Sequence, residues 1–386
     1  MMSPADSQPG GVVSEAGPAL HVTLDMTFPN RFPVWGFSVY TRSLLEALRE
    51  RSDVSIREIS GPVASNPRLT LGWLVSGARR ELLKRRTDLL HCPAFVTPWR
   101  SPVPAVITIH DAAALRFPKD YPLEWSFYNR FILPPVVRRA ARIITLSEFS
   151  AREAIKYYGV RKGQISVVPA APDPRYRPQP PEATNRLLGE LGLPSREEQS
   201  RPLLLFAGAP FGRKNLDVVL RAMSGAAEGS KLSQAWLLIS GATESGFKEY
   251  RDWIAANGLE DRVRWLGKVP QESMPVLYSA VDMLVYPTLY EGFGLPPLEA
   301  MSVGTPVVAG LASCLPDVLG DAAMLVPPHD DKGFREAIEA LLGDRTLREK
   351  MVQAGKARAA SYTWERCASQ TMEVYRAALG RAGRRS

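Results

Sequence analysis

The stretch of this 386-residue chain richest in chemical possibility is Tyr286-Pro-Thr-Leu-Tyr-Glu-Gly-Phe-Gly-Leu-Pro-Pro-Leu-Glu-Ala-Met301. Its apolar start reads as the end of a strand and its glycines as a tight loop. Pro296 and Pro297 suit the first turn of a helix, where a missing N–H costs little. Such a helix start presents the amides of Phe293, Gly294 and Leu295 and a positive dipole end, which favours an anion and suits a diphosphate. Glu291 stands before the loop and Glu299 eight positions on, inside the helix. A carboxylate at 299 can accept hydrogen bonds from vicinal hydroxyls such as a ribose presents. One at 291 can meet the hydroxyls of a sugar beside the phosphates. Two glutamates at this spacing are common, and a plain helix with a helpful acidic residue explains them too. The complete strand, glycine loop, proline and helix setting is what favours a site.

A second strand end, Phe206-Ala-Gly-Ala-Pro-Phe-Gly-Arg-Lys-Asn-Leu216, delivers Arg213 and Lys214 just before a helix. Arginine offers a fork and lysine a point charge to phosphate oxygens. A surface Arg-Lys pair is ordinary, but its place after a buried strand favours the phosphate reading.

Other nucleotide chemistries lack their residues. The chain contains no GxGxxG and no GxxxxGK[ST], which excludes the usual dinucleotide and P-loop signatures. It contains no Asp-x-Asp pair to hold a divalent metal on a diphosphate, so Arg213 and Lys214 are expected to neutralise a leaving group as fixed cations. Neither a metal site nor a cofactor is predicted. Cys92, Cys314 and Cys367 are far apart and form no CxxC pair, which argues against a zinc or disulfide framework and fits a reducing cytoplasm.

The elements that must position these residues alternate between short apolar runs and amphipathic ones. Strands are expected at 21–28, 88–91, 105–109, 142–146 and 165–168, then at 202–207, 235–240, 263–266, 283–286 and 306–309. Helices are expected at 40–50, 123–141, 151–158 behind an N-cap at Ser147, and 216–223. The alternation predicts an α/β protein of two doubly wound domains with parallel sheets, facing each other across a cleft. The boundary is placed in a loop over 169–201, with a first domain over 20–178 and a second over 179–365. In such sheets ligands bind beyond the carboxyl ends of the strands.

Residues 1–19 are rich in Pro, Gly, Ser and Ala and read as a disordered leader without signal-peptide character. No apolar run approaches the roughly 20 residues that span a bilayer. The first 178 residues hold 24 Lys/Arg against 15 Asp/Glu and the remainder 24 against 25, so the net +8 belongs to the first half. It is densest at Arg79, Arg80, Lys84, Arg85 and Arg86, which end an apolar run beginning at Leu71. Either a solvated helix face or contact with an anionic membrane or phosphorylated acceptor explains this. No nucleic-acid motif accompanies the charge, so nucleic acid is not an expected partner.

Arg213-Lys-Asn-Leu216 followed by Glu291-Gly-Phe-Gly-Leu-Pro-Pro-Leu-Glu-Ala-Met301 resembles the retaining glycosyltransferases of family 4, which have the GT-B fold. The similarity extends through Gly304-Thr-Pro-Val-Val308, Leu315-Pro-Asp-Val-Leu-Gly-Asp321 and Tyr362-Thr-Trp-Glu365. In the first half it takes in Trp35-Gly36, Tyr40-Thr41, Ile109-His-Asp111 and Leu146-Ser-Glu-Phe-Ser150, so it spans roughly residue 20 to the end.

The resemblance implies a nucleoside diphosphate sugar as donor and transfer of its hexose to an acceptor hydroxyl, with retained anomeric configuration. Arg213 and Lys214 would bind the diphosphate, Glu291 the sugar and Glu299 the ribose. His110 would line the cleft near the sugar, and Gly36 would lie in a loop approaching the phosphates. The segment over about 366–386 would cross back to the first domain. The Arg213-Lys-Asn-Leu216 loop with the Leu315-Pro-Asp-Val318 segment is similar to mannosyltransferase-like members, making GDP-mannose the first expectation for donor, with UDP-glucose and a dTDP-deoxysugar open and the acceptor unspecified. Two departures stand out: Ser38 where the family often has Gly, and Pro169-Ala-Ala-Pro-Asp173 in place of a Pro-Asn-Gly-Val-Asp linker. The alternative reading is a sugar-nucleotide epimerase, or a non-catalytic sugar-nucleotide-binding protein, of the same architecture.

Overall fold

The computed structural model describes residues 19–32, 36–62, 72–95, 98–198, 200–243 and 246–382. Two six-stranded sheets, parallel throughout, form its centre. The first holds β1 (Leu20–Asp25), β2 (Val54–Ile59), β3 (Leu89–Cys92), β4 (Ala105–Ile109), β5 (Arg142–Thr145) and β6 (Ile165–Val167), in the order β2-β1-β3-β4-β5-β6. The second holds β7 (Leu203–Ala207), β8 (Trp236–Ser240), β9 (Val263–Gly267), β10 (Met283–Tyr286), β11 (Val307–Gly310) and β12 (Met324–Val326), in the order β12-β11-β10-β7-β8-β9. Central strands such as β7 and β10 are buried at every residue, because helices cover both faces.

Successive residues of the first sheet serve opposite faces. Leu24, Val106 and Ile144 join the core shared with α1 (Gly36–Arg49) and the closing helix α5 (Trp364–Ala382). Leu90, Ile107 and Ile143 join a second cluster with Trp73, Leu82, Leu133 and Val137. The Nδ1 of His91 lies 2.7 Å from the Tyr375 hydroxyl and its Nε2 2.9 Å from Thr108 Oγ1. These contacts tie α5 to the first sheet, and burial pushes the His91 pKa down to about 3.

Several expected elements move. β1 stops at Asp25, three residues early, because the Asp25 carboxylate accepts the Thr27 amide at 2.9 Å and turns the chain into a short helix, Thr27–Arg31. α1 starts at Gly36 rather than Tyr40. The edge strands β2 and β12 were not expected; β2, Val-Ser-Ile-Arg-Glu-Ile, carries polar residues inside an edge position. The supposed loop over 169–201 contains the helix Pro181–Glu190, which packs on the helix Met274–Ala280. The basic run is helical over Trp73–Leu83, with Trp73 and Leu82 buried but Leu83 exposed. Leu71, Trp35, residues 1–18 of the proposed leader and 383–386 of the crossing segment lie outside the described residues. Among the described residues no helix is long and apolar enough to cross a membrane.

Candidate active site

Ser147 caps the helix α2 (Glu148–Glu153), as expected, by accepting the Ser150 amide at 3.0 Å. α2 follows β5, and His110 follows β4, so both sit at the carboxyl edge of the first sheet. Facing them are the loops after β7 and β10. The β7 loop ends in a single turn, Gly212–Lys214, then Asn215 at φ +57°, then α3 (Leu216–Ser224). Asn215 accepts that left-handed backbone because its side-chain amide donates to the Pro287 carbonyl at 3.0 Å. The Leu289 amide donates to Arg213 O at 2.8 Å, so the two loops are stitched together before any side chain meets.

The charged centre is a three-residue cluster. Lys214 Nζ donates to Glu291 Oε1 at 2.6 Å and Arg213 Nη1 to the same oxygen at 3.1 Å. Thr288 Oγ1 adds a third bond at 3.1 Å. Burial alone would raise the Glu291 pKa, but the Lys214 and Arg213 charges overcome it and hold the carboxyl down at about 2. Lys214 also donates to the Tyr286 hydroxyl at 2.8 Å. The Glu291 amide donates to Ser313 Oγ at 2.9 Å, which fixes the backbone behind the carboxylate.

Immediately beyond, α4 (Leu295–Val303) starts at Gly294, whose φ of +91° needs glycine. Pro296 and Pro297 bring no N–H to its first turn, so Gly294 and Leu295 supply the donors there. Phe293 is buried edge-on against Tyr362. Glu299 is not brought to the cation cluster. It faces the tyrosines 176 and 278, with the Tyr278 hydroxyl donating to Oε2 at 3.3 Å, and burial raises its pKa to about 7.

His110 is buried among Tyr40, Phe37 and Phe95, with the Tyr40 ring edge-on at 5.1 Å. Its Nε2 lies 2.8 Å from the Pro93 carbonyl, which can only accept, so Nε2 carries the proton and Nδ1 the lone pair. Burial lowers its pKa to about 4 against that bond, which makes the ring neutral at physiological pH. Gly36 lies at the exposed start of α1 rather than in a loop, and a Cβ there would meet nothing within 4 Å. Ser38, the departure next to it, is buried and donates to Phe32 O at 2.7 Å.

The two halves of the cleft touch through groups to which the sequence reading gave no bridging role. Ser147 Oγ and Ser150 Oγ both donate to the Gly292 carbonyl, at 2.6 and 2.9 Å. The Tyr290 hydroxyl accepts the Ala112 amide at 2.9 Å, its ring held between Phe117 and Phe149. The Arg213 amide donates to Asp120 Oδ2 at 3.3 Å. Gly292 is obligatory here, since a Cβ would lie 2.1 Å from the His110 carbonyl. Asp111 lies against the same glycine, its pKa raised by burial while the Ala113 amide and the Arg213 charge pull it back. Serines and a tyrosine at loop ends carry no sequence signal beyond the Leu146-Ser-Glu-Phe-Ser150 run.

Two facing parallel sheets with a cation cluster at the inner edge of one define the GT-B class, and comparison with known proteins agrees. The family model Glycosyl transferases group 1 matches residues 194–358, and Glycosyltransferase Family 4 matches residues 36–176. The chain is 32% identical over 293 residues to the O-antigen chain mannosyltransferase B of Escherichia coli, covering 75% of this chain and 74% of that protein. It is 33% identical over 299 residues to the D-inositol 3-phosphate glycosyltransferase of Nocardia farcinica, covering 73% of this chain and 62% of that one. Among solved structures, sucrose-phosphate synthase from Thermosynechococcus elongatus superposes with a TM-score of 0.76 at 21% identity, over 92% of this chain and 98% of that one. The Anabaena protein HepE, solved with UDP and glucose, gives 0.71 at 18%, over 92% and 99%. The chain belongs to the group 1, family 4 glycosyltransferases, and it is a glycosyltransferase of GT-B fold.

Proposed function

We propose that the protein transfers mannose from GDP-mannose to an acceptor hydroxyl, with retention at the anomeric carbon and without a divalent metal. The observation that carries this reading is the pairing of Arg213 and Lys214 on Glu291 beside the start of α4. Cations held in place before the reaction stabilise charge as it develops on a departing diphosphate, without reorganisation at the moment of transfer. Lys214 has three N–H groups, of which Glu291 and Tyr286 take two, and Arg213 has five, so donors remain for phosphate oxygens.

In this reading the amides of Phe293, Gly294 and Leu295 complete the diphosphate site. Glu291 also meets the sugar, Glu299 takes the ribose hydroxyls, and the neutral His110 accepts a sugar hydroxyl at Nδ1. Gly36 brings the start of α1 towards the phosphates. Residues 20–178 with the closing helix serve the acceptor, and 179–365 serve the donor. The enzyme works in the cytoplasm, where the first-lobe cations meet an anionic partner. The likeness to an O-antigen chain mannosyltransferase supports mannose as the sugar.

Incubation with GDP-mannose, UDP-glucose and a dTDP-deoxysugar, with and without EDTA, tests this. GDP-mannose is expected to be hydrolysed, with water standing in for the acceptor, the freed mannose to appear first in the donor's configuration by NMR, and EDTA to leave the rate unchanged. Turnover of another donor alone overturns the donor assignment. Loss in EDTA with recovery on adding Mg²⁺ overturns metal independence.

A further inference from the structure

The chain passes between the lobes twice, and the two crossings share a cavity. The first crossing leaves β6 at Pro169, one residue past the Val168 amide that donates to Thr145 O at 2.8 Å. The second enters α5 at Thr363, after the helix Arg345–Ala360, which packs on α4. Between them lies a cavity of about 230 Å³, lined by Pro169, Arg358, Thr363, Arg366, Cys367 and Gln370 among others. The last four recur at the spacing of one helix face, so the start of α5 turns that face into the cavity. The volume is below the roughly 300–1,000 Å³ of sites for drug-sized ligands, which limits an occupant to a small molecule.

Its lining combines positive charge with an unmet acceptor. Arg358 uses two of its five N–H groups, Nε on Val318 O at 2.7 Å and Nη2 on Asp317 O at 2.6 Å, and three remain. Arg366 is exposed and makes one long bond, from Nη1 to Ser361 O at 3.5 Å. The Gln370 Oε1 atom is buried without a hydrogen-bond partner among the described residues. A buried acceptor left unpaired is costly, and a ligand hydroxyl would satisfy it. The Cys367 thiol is buried, with its pKa pushed up to about 12, and brings no charge. Two acids stand nearby. Glu365 is turned to its own amide and the Thr363 hydroxyl, and Asp317 lies 3.9 Å from Arg152.

We propose that this cavity is a second ligand site, separate from the donor cluster, for a small phosphate monoester that also carries a hydroxyl. Two guanidinium forks match a phosphate dianion, and the hydroxyl meets Gln370. The site touches both crossings, so an occupant favours the lobe arrangement that brings Pro169 to α5. It also stands behind the donor loop. The Tyr362 ring touches both sides, with the Arg358 guanidinium 5.3 Å from its centroid and the Phe293 ring edge-on at 5.6 Å. Arg358 holds the end of the helix Leu315–Leu319, and Leu315 packs against Gly294, 2.7 Å from where a Cβ would stand. Occupancy is thereby coupled to the amides of Phe293, Gly294 and Leu295, and nucleoside diphosphate affinity rises with it. The site stands on this geometry; its coupling rests on the proposed function, which gives those amides to the diphosphate.

Calorimetric titration of the full chain with glycerol 3-phosphate tests the site. Wild type and Lys214→Ala are expected to bind one molecule. Arg366→Gln should lower the affinity about tenfold or more, the scale of a lost charge-assisted bond, and Gln370→Leu should lower it less. Sulfate and glycerol alone should each bind more weakly than the ester. Both variants should unfold at the wild-type temperature without ligand. The coupling is read with GDP and then UDP: glycerol 3-phosphate should tighten the nucleotide that binds about fivefold or more in wild type, and leave it unmoved in Arg366→Gln. The site is overturned by a wild type that binds no glycerol 3-phosphate, or by binding that Arg366→Gln leaves unchanged. It is also overturned by binding that Lys214→Ala abolishes, which would put the ligand on the donor cluster. An ester that binds while nucleotide affinity stays constant overturns the coupling. Failure of both nucleotides to bind overturns the proposed donor chemistry and the coupling with it, while the titration still decides the site.

Discussion

Glu291 and Glu299 are the same residue type, eight positions apart, in opposite surroundings. Glu291 receives three hydrogen bonds on one oxygen, two of them from cations, and its pKa falls to about 2. Glu299 looks towards tyrosine hydroxyls with no cation among the described residues bonded to it, and burial raises its pKa to about 7. The first stays ionised and holds the Arg213 and Lys214 side chains in place. The second changes charge within the physiological range and suits a ligand that brings hydroxyls. Position along the chain does not distinguish them; what the neighbouring loops present to each does.

The hardest way to break this comparison is Glu291→Ala. It leaves Arg213 and Lys214 mostly buried and side by side without their shared anion. Orphaning a buried charge typically costs about 3–5 kcal/mol. Transfer is expected to vanish and thermal unfolding to shift down, with saturating nucleoside diphosphate restoring part of the shift by supplying the missing negative charge. Wild-type turnover in this variant would remove Glu291 from the site.

Next in size, Lys214→Ala and Arg213→Ala should each weaken nucleoside diphosphate binding by about 1.5–3 kcal/mol, the range for charge-assisted hydrogen bonds. Calorimetry finding unchanged affinity in both would take the phosphate role from them.

The titration of Glu299 gives a pH-dependent contrast. Its raised pKa means that its carboxylate form, the better acceptor for ribose hydroxyls, is lost as pH falls below about 7. GDP affinity should therefore fall by up to about tenfold per pH unit below that point. Glu299→Gln should flatten this component, leaving the titration of the phosphates themselves. The stability terms run in opposite senses. Glu291, depressed from 4.5, stabilises the fold above that value and loses its effect as pH falls towards about 2. Glu299, raised from 4.5, contributes fully below that value and loses its effect as pH rises through about 7. Identical pH profiles for wild type and Glu299→Gln would refute the ribose assignment.

The smallest effect is expected from Tyr278→Phe, which deletes the 3.3 Å bond to Glu299 that favours its charged form. The midpoint of the affinity profile should move to higher pH, at a stability cost of about 0.5–1.5 kcal/mol. A midpoint moving lower would mean that the tyrosine holds the protonated acid instead.

Much of the architecture was legible because it rests on local patterns. Buried parallel strands such as Leu203–Ala207 and Met283–Tyr286 are short unbroken apolar runs, and the Ser147 cap precedes its helix as capping chemistry requires. β2 escaped because an edge strand need not be apolar, and the helix Pro181–Glu190 because prolines at its start look like a linker. At the site, the types and loops of Arg213, Lys214 and Glu291 were readable, but their convergence on one oxygen was not. That depends on Asn215 and Leu289 joining two loops over seventy residues apart in sequence.

The way the two lobes meet bears on recombining them. Ser147 and Ser150 bond to the Gly292 carbonyl, Tyr290 to the Ala112 amide, and Asp120 to the Arg213 amide. Each of these bonds has a main-chain group at one end, and every residue keeps its main chain when its side chain changes. The requirements for a working chimera at this seam are therefore few: two hydroxyls, a phenol, a carboxylate, and a glycine small enough to lie against the carbonyl of residue 110. A lobe taken from a distant relative could keep these hydrogen bonds without matching side chains on both partners, but the Tyr290 ring would still need aromatic neighbours in the places of Phe117 and Phe149. Within a lineage, the two lobes could diversify at different rates and still close on each other.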